Sequence, residues 1–297
     1  MISKKLAIEV LNVSLSTGAD YAEIFYEDSH TQNVSLENGK VETSASNSLN
    51  GVGLRLLKEN QCIYGYTNDL TRKGLLALAN SLNKSFNGKQ TVFVDHLDKV
   101  KAKERSKIVV DNDTIALEEK IALLKSADTE ILKANDPRIV RRICSLNCWH
   151  RGVAVFNSKS KWFKRDNQWA TYGIAVIVTD GKSFEQGFAR RGCQGDINQF
   201  KGGDKDIVTN AAKATKTALA MLDAPECPAG KMPVVIGYGW GGVLFHESCG
   251  HPLEASAVAK GLPSSSISIE PQPFGIVESS TAETILEATC VPICSGL

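Results

Sequence analysis

The chain has 297 residues, 42% of them hydrophobic and 23% charged, with a formal net charge of +1. That length can bury one large core or two ordinary ones, and the composition is that of a soluble globular protein. No apolar run approaches the ~18 residues of a membrane span, and near-neutrality gives no electrostatic case for nucleic acid.

The opening Met1-Ile2-Ser3-Lys4-Lys5 is followed by Glu9, Asn12 and Ser14, so it lacks the apolar stretch of a signal peptide. It reads as an amphipathic helix with Leu6, Val10 and Val13 on one face and Gly18 at its end. A cytoplasmic location is expected. Residues 21–26 read as a strand, and "TQNVSLENGKVETS" as a hairpin whose Asn38-Gly39 turn suits type I′. "GVGLRLLKENQCIYGYT" is a second hairpin turning near Glu59-Asn60. Asp69 or Thr71 then caps an amphipathic helix through Leu75, Leu78, Ala79 and Leu82.

Residues 98–112 form a charged connection, and 115–134 a helix with Pro137 beyond it. From 139 to 190 the chain is strand-like, with turns at Asn157-Ser158 and Asp180-Gly181. The basic-aromatic run 159–165 reads as a strand with solvated lysines. Residues 204–224 are an Ala-rich helix, and "MPVVIG" is a short buried strand. Eight scattered cysteines imply reduced thiols. Cys144-x-x-x-Cys148 with His150 can be read as part of a metal site, but cysteines four apart on a strand point the same way and no second pair sits nearby, so packing explains them. Cys62 and Cys193 read as small buried hydrophobes. His30 and His96 have no evident partners. Residues 262–297 hold no Lys or Arg, seven Ser and four of the nine prolines, and look like a poorly structured tail.

The most chemical stretch is "GYGWGGVLFHESCGHPLEA", residues 237–255. Gly237-x-Gly239-x-x-Gly242 after a strand suits a dinucleotide fingerprint, which also needs a second strand ending in an acid about 20 positions on. "AVAKGLPSS" supplies neither. His246-Glu247-x-x-x-His251 accounts for more residues: imidazoles ligate zinc, and an adjacent carboxylate serves as general base. The i, i+5 spacing puts the histidines about 140° apart on a regular α-helix, against about 40° for i, i+4. Both reach one ion only if the turn is widened by a residue, as in a π-bulge, and Gly250 and Pro252 sit where that is easiest.

"MPVVIGYGWGGVLFHESCGHPLEASAVAKG" strongly resembles the metal segment of the TldD/PmbA zinc peptidases, once called modulators of DNA gyrase. "GADYAEIFYED", "VSLENGKVE", "GVGLRL" and "YGYTNDLT" resemble that family's first domain in order and spacing, so the likeness covers roughly residues 1–261. It implies that His246 and His251 ligate Zn2+ and that Glu247 is the catalytic base. The activity implied is hydrolysis of peptide bonds in unstructured peptides. The implied active form is a heterodimer with a related, metal-free PmbA-like subunit, without nucleic acid or membrane.

In the family a cysteine of a C-terminal domain supplies a third ligand, to which neither Cys290 nor Cys294 can be matched. Cys249 is not expected to reach the ion together with both histidines. The expected fold is α+β. An N-terminal antiparallel sheet with covering helices (1–100) precedes a connecting helix, β-rich segment and Ala-rich helix (101–230). A strand and metal-site helix (231–261) come next, and then an aberrant tail (262–297) in place of most of a β-rich domain. The chain is therefore expected to be a TldD-like peptidase of weak or no activity, or else a non-catalytic truncated homologue that binds a partner.

Overall fold

The computed structural model describes residues 1–59, 61–101, 108–227, 229–231, 233, 235, 241–251 and 254. They fall into two units, Met1–Asp223 and Ala224–Leu297. The first unit is a helix-covered sheet whose strands are β1 (Tyr21–Glu37), β2 (Lys40–Lys58), β3 (Gln61–Thr67), β4 (Asp98–Lys99), β5 (Ile139–Asn157), β6 (Lys161–Thr179) and β7 (Phe184–Cys193). Its order is β3-β2-β1-β5-β6-β4, with β7 also paired to β6. All pairings are antiparallel except the short β4–β6 contact.

Each element follows from local chemistry. At the β1–β2 turn, Asn38 and Gly39 take φ of 49° and 77°, the left-handed pair a type I′ hairpin needs. Helix α1 (Lys4–Leu15) starts where Ser3 Oγ accepts from the Leu6 amide at 3.2 Å. Helix α2 (Arg72–Asn83) is capped by Thr71, which accepts from the Gly74 amide at 3.1 Å. Helix α3 (Leu117–Leu132) carries Glu118 and Glu119 in its first turn, where the helix dipole favours them. Helix α4 (Ile207–Leu222) is capped by Asp206 through the Thr209 amide at 2.8 Å.

β1, β5 and β6 are each long enough to serve two cores. At one end Ile24, Leu54, Leu56 and Phe156 pack against Leu11 and Leu15 of α1 and Leu75 of α2. At the other, Leu36, Leu146, Tyr172 and Ile174 pack against Leu124 of α3 and Ala211 and Ala214 of α4. Between the cores the same strand face turns polar: Asp28, His30, His150, Gly152 and Asp166 line a cavity of about 310 Å³.

Several expectations are revised. The strand at 21–26 and the first arm of the next hairpin are one strand, because β1 stays paired to β2 and β5 through its polar middle. Cys62 is exposed, since it lies on outer strand β3 beside Ile63, which faces the core instead. The "MPVVIG" strand falls mostly outside the described residues; Val235, which is described, is 99% exposed and in no strand. The tail at 262–297 lies outside the described residues as well.

Two consequences can be measured. On β7, a Cβ at Gly187 would stand 1.8 Å from the Ala214 carbonyl oxygen and 2.6 Å from the Ala218 nitrogen of α4. Backbone cannot step aside as a side chain can, so Gly187→Ala is expected to cost about 3 kcal/mol. Chemical denaturation reads this, and an unshifted midpoint would contradict the close approach.

Beyond α3, Arg138 bonds both oxygens of Asp136 and reaches Asp223 at 2.8 Å. The Arg138 side chain holds the Asp136 carboxyl at about 2, below its unfolded value of about 3.9. Because the folded value is the lower one, the stabilisation is complete above about pH 4 and is lost as pH falls toward 2. Asp136→Asn should flatten the fall of Tm over that window, and an identical slope in both proteins would exclude the contribution.

Candidate metal centre

In the second unit a short helix, α5 (Gly241–Phe245), runs directly into a π-helical turn, His246–Gly250. The His251 amide donates to the His246 carbonyl, five residues back. This is the one-residue widening that i, i+5 histidines need. The rings of His246 and His251 lie 4.5 Å apart, centroid to centroid, at 65°. Gly250 makes room for the first of them: a Cβ there would sit 2.9 Å from His246 Nδ1.

One ligand atom from each of His246, Glu247 and His251 lies within 4.8 Å of the others. Donors around a tetrahedral zinc stand about 3.3–3.6 Å apart, from bond lengths of about 2.0–2.2 Å. Small side-chain rotations therefore suffice to close the set. Two imidazoles suit a divalent transition ion, and the carboxylate beside them stands close enough to act on a group bound to it.

Glu247 Oε2 lies 3.5 Å from His251 Nε2. On the other side of the ring, His251 Nδ1 meets Glu254 Oε1 at 2.6 Å. That contact keeps the proton on Nδ1 and turns the Nε2 lone pair outward, the carboxylate–histidine pairing found behind metal ligands. The Glu254 hydrogen bond raises the pKa of His251, opposed by desolvation and aided by the charge of Glu247. Sequence reasoning misses Glu254, although a carboxylate three residues past a candidate ligand is a visible signal. Glu254→Gln is expected to weaken binding of an added divalent ion, Zn2+ as the probe, about 10–100-fold. Competition against a chelator checks this, and unchanged affinity would leave Glu254 without a role in orientation.

The remaining sequence candidates resolve differently. Cys144 and Cys148 are buried, and desolvation pushes both thiols up to about 12, so they stay protonated and serve packing. His30 bonds Ser48 at 3.0 Å, and His96 bonds Asp95 at 2.5 Å, partners that sequence reasoning does not supply. Cys290 and Cys294 lie outside the described residues.

Residues 22–85 match the PmbA/TldA metallopeptidase domain 1, and residues 111–222 the PmbA/TldA metallopeptidase central domain. The chain is 26% identical over 258 residues to a Haemophilus influenzae protein named as a metalloprotease TldD homolog, covering 85% of this chain and 53% of that one. It is 24% identical over 284 residues to a metalloprotease of Methanocaldococcus jannaschii, covering 85% and 55%. The chain thus spans about half the length of the curated relatives it matches.

Among solved structures, a Bacteroides thetaiotaomicron protein given as a candidate modulator of DNA gyrase superposes with a TM-score of 0.61 at 19% identity, over 76% of this chain and 52% of that one. A Thermotoga maritima protein of the same description gives 0.59 at 14%, over 76% and 50%. At such identities these two likenesses concern the fold. The family models name metallopeptidase domains and together match more than half of the chain. The chain belongs to the PmbA/TldD family.

Proposed function

We propose that the His246–His251 turn is the zinc site of a TldD-like peptidase that hydrolyses peptide bonds in unstructured peptides. The observation that carries this reading is the π-turn, which brings the ligand atoms of His246, Glu247 and His251 within 4.8 Å of one another. Zinc bound there would supply Lewis acidity to a scissile carbonyl and acidify a water. His246 and His251 would hold the ion through a ring nitrogen each. Glu247, next in sequence to one ligand and facing the other, takes the water's proton and passes it to the leaving amine.

Family resemblance supports a cysteine as third protein ligand, without matching it to a position in this sequence. It also supports a metal-free PmbA-like partner subunit. No described helix is long and apolar enough to cross a membrane.

Metal analysis and cleavage of an unstructured fluorogenic peptide test the roles together. Glu247→Gln should keep its zinc and lose about 10²–10⁴-fold in rate, the range of a general base. Loss of zinc with activity would make Glu247 a ligand instead, and a zinc content in His246→Ala equal to that of the unsubstituted protein would sink the assignment of the site.

A further inference from the structure

We propose a second divalent-cation site, independent of the His246 turn, formed by Asp111, Asp113 and His150. One ligand atom from each lies within 4.8 Å of the others. The residues come from two places, His150 from β5 and the aspartates from a 3₁₀ turn, Asn112–Thr114, that Asp111 caps.

The residue between the aspartates explains why they converge on His150. Asn112 is 1% exposed. Its amide donates to Gln168 Oε1 at 2.9 Å, and its Nδ2 to the Gly195 carbonyl at 3.2 Å. Its Oδ1 accepts from the Ile197 amide at 3.1 Å, and its carbonyl from Lys120 Nζ at 2.7 Å. Gln168 pairs with His150 across β5 and β6. The buried asparagine is thus fixed to the strand position beside the imidazole, and its two neighbours are held with it.

Within the cluster, Asp111 divides its oxygens. Oδ1 accepts from the Asp113 amide at 3.0 Å, while Oδ2 lies 3.2 Å from His150 Nδ1. The Asp113 carboxylate has no hydrogen-bond partner among the described residues. Lys120, 2% exposed, donates to the Asn112 carbonyl at 2.7 Å and to Gln32, and among the described residues it forms no ion pair with either aspartate. Of the three residues only His150 lines the cavity of about 310 Å³ between the cores, while Asp113 is exposed, so solvent can complete a cation's coordination from its side. Two carboxylates and an imidazole suit a first-row divalent ion of the Mn2+ to Zn2+ series.

The full 297-residue chain carrying His246→Ala and His251→Ala isolates the site, so its failure is separate from that of the peptidase reading. Titrated with Zn2+ against a chromophoric chelator, this protein should bind one ion. Adding Asp113→Asn, which leaves the Asp111 cap in place, or His150→Ala should weaken binding about 10-fold or more. Thermal unfolding checks the fold of each variant, and if one folds poorly the other alone decides the outcome. No zinc on the double variant overturns the proposal, as does bound zinc that neither further substitution weakens.

Discussion

Residues 1–223 depend on one constraint: side chains alternate across β1, β5 and β6 through both cores without slipping a face, the one shift between β5 and β6 lying at the start of β5, between Ile139 and Arg141. A single-residue slip would exchange every buried side chain for a solvated one. The unbroken register from Glu23–Asn157 to Glu37–Ile143 places Ile24 in one core and Leu36 in the other on a single strand. Helices α1 and α2 cover one end and α3 and α4 the other. The chain crosses between them on shared strands, so the two ends answer to one hydrogen-bonded frame.

That frame accounts for the polar waist. A strand serving two cores must pass through a stretch that neither helix pair covers, and Asp28, His30, His150 and Asp166 occupy it. Long polar side chains are tolerated there because backbone pairing continues on both sides of β1 and β5. The buried Asn112, Lys120 and Gln168 close the waist toward the α3–α4 end with hydrogen bonds in place of apolar contact.

Much of this was legible in the sequence, wherever one local rule decided the outcome. Asn38-Gly39 could only turn, Asp69 and Thr71 both offered a cap, which Thr71 supplies, and the turns at 157–158 and 180–181 divide three strands as expected. Features settled by distant partners were not legible. The polar run from Glu27 to Thr31 breaks the apolar alternation, and pairing on both sides, to β2 and to β5 more than a hundred residues on, keeps it extended. Cys62 looks like any small buried residue until its strand proves outermost. At the metal centre, the need for a widened turn followed from 100° per residue. Glu254 did not, because its role exists only once His251 is already turned by that widening.

The π-turn behaves as a one-residue insertion that the helix absorbs without unwinding. Removing a residue between Glu247 and His251 would restore i, i+4 spacing on an ordinary α-helix and keep both imidazoles on one face. The gain would be local only. Side-chain directions downstream are set by the count of residues, so the surroundings of the turn were tuned to the longer spacing. The clearance at Gly250 for the His246 ring is the plainest trace of that tuning. Spacing and glycine are thus a matched pair, and changing one calls for changing the other.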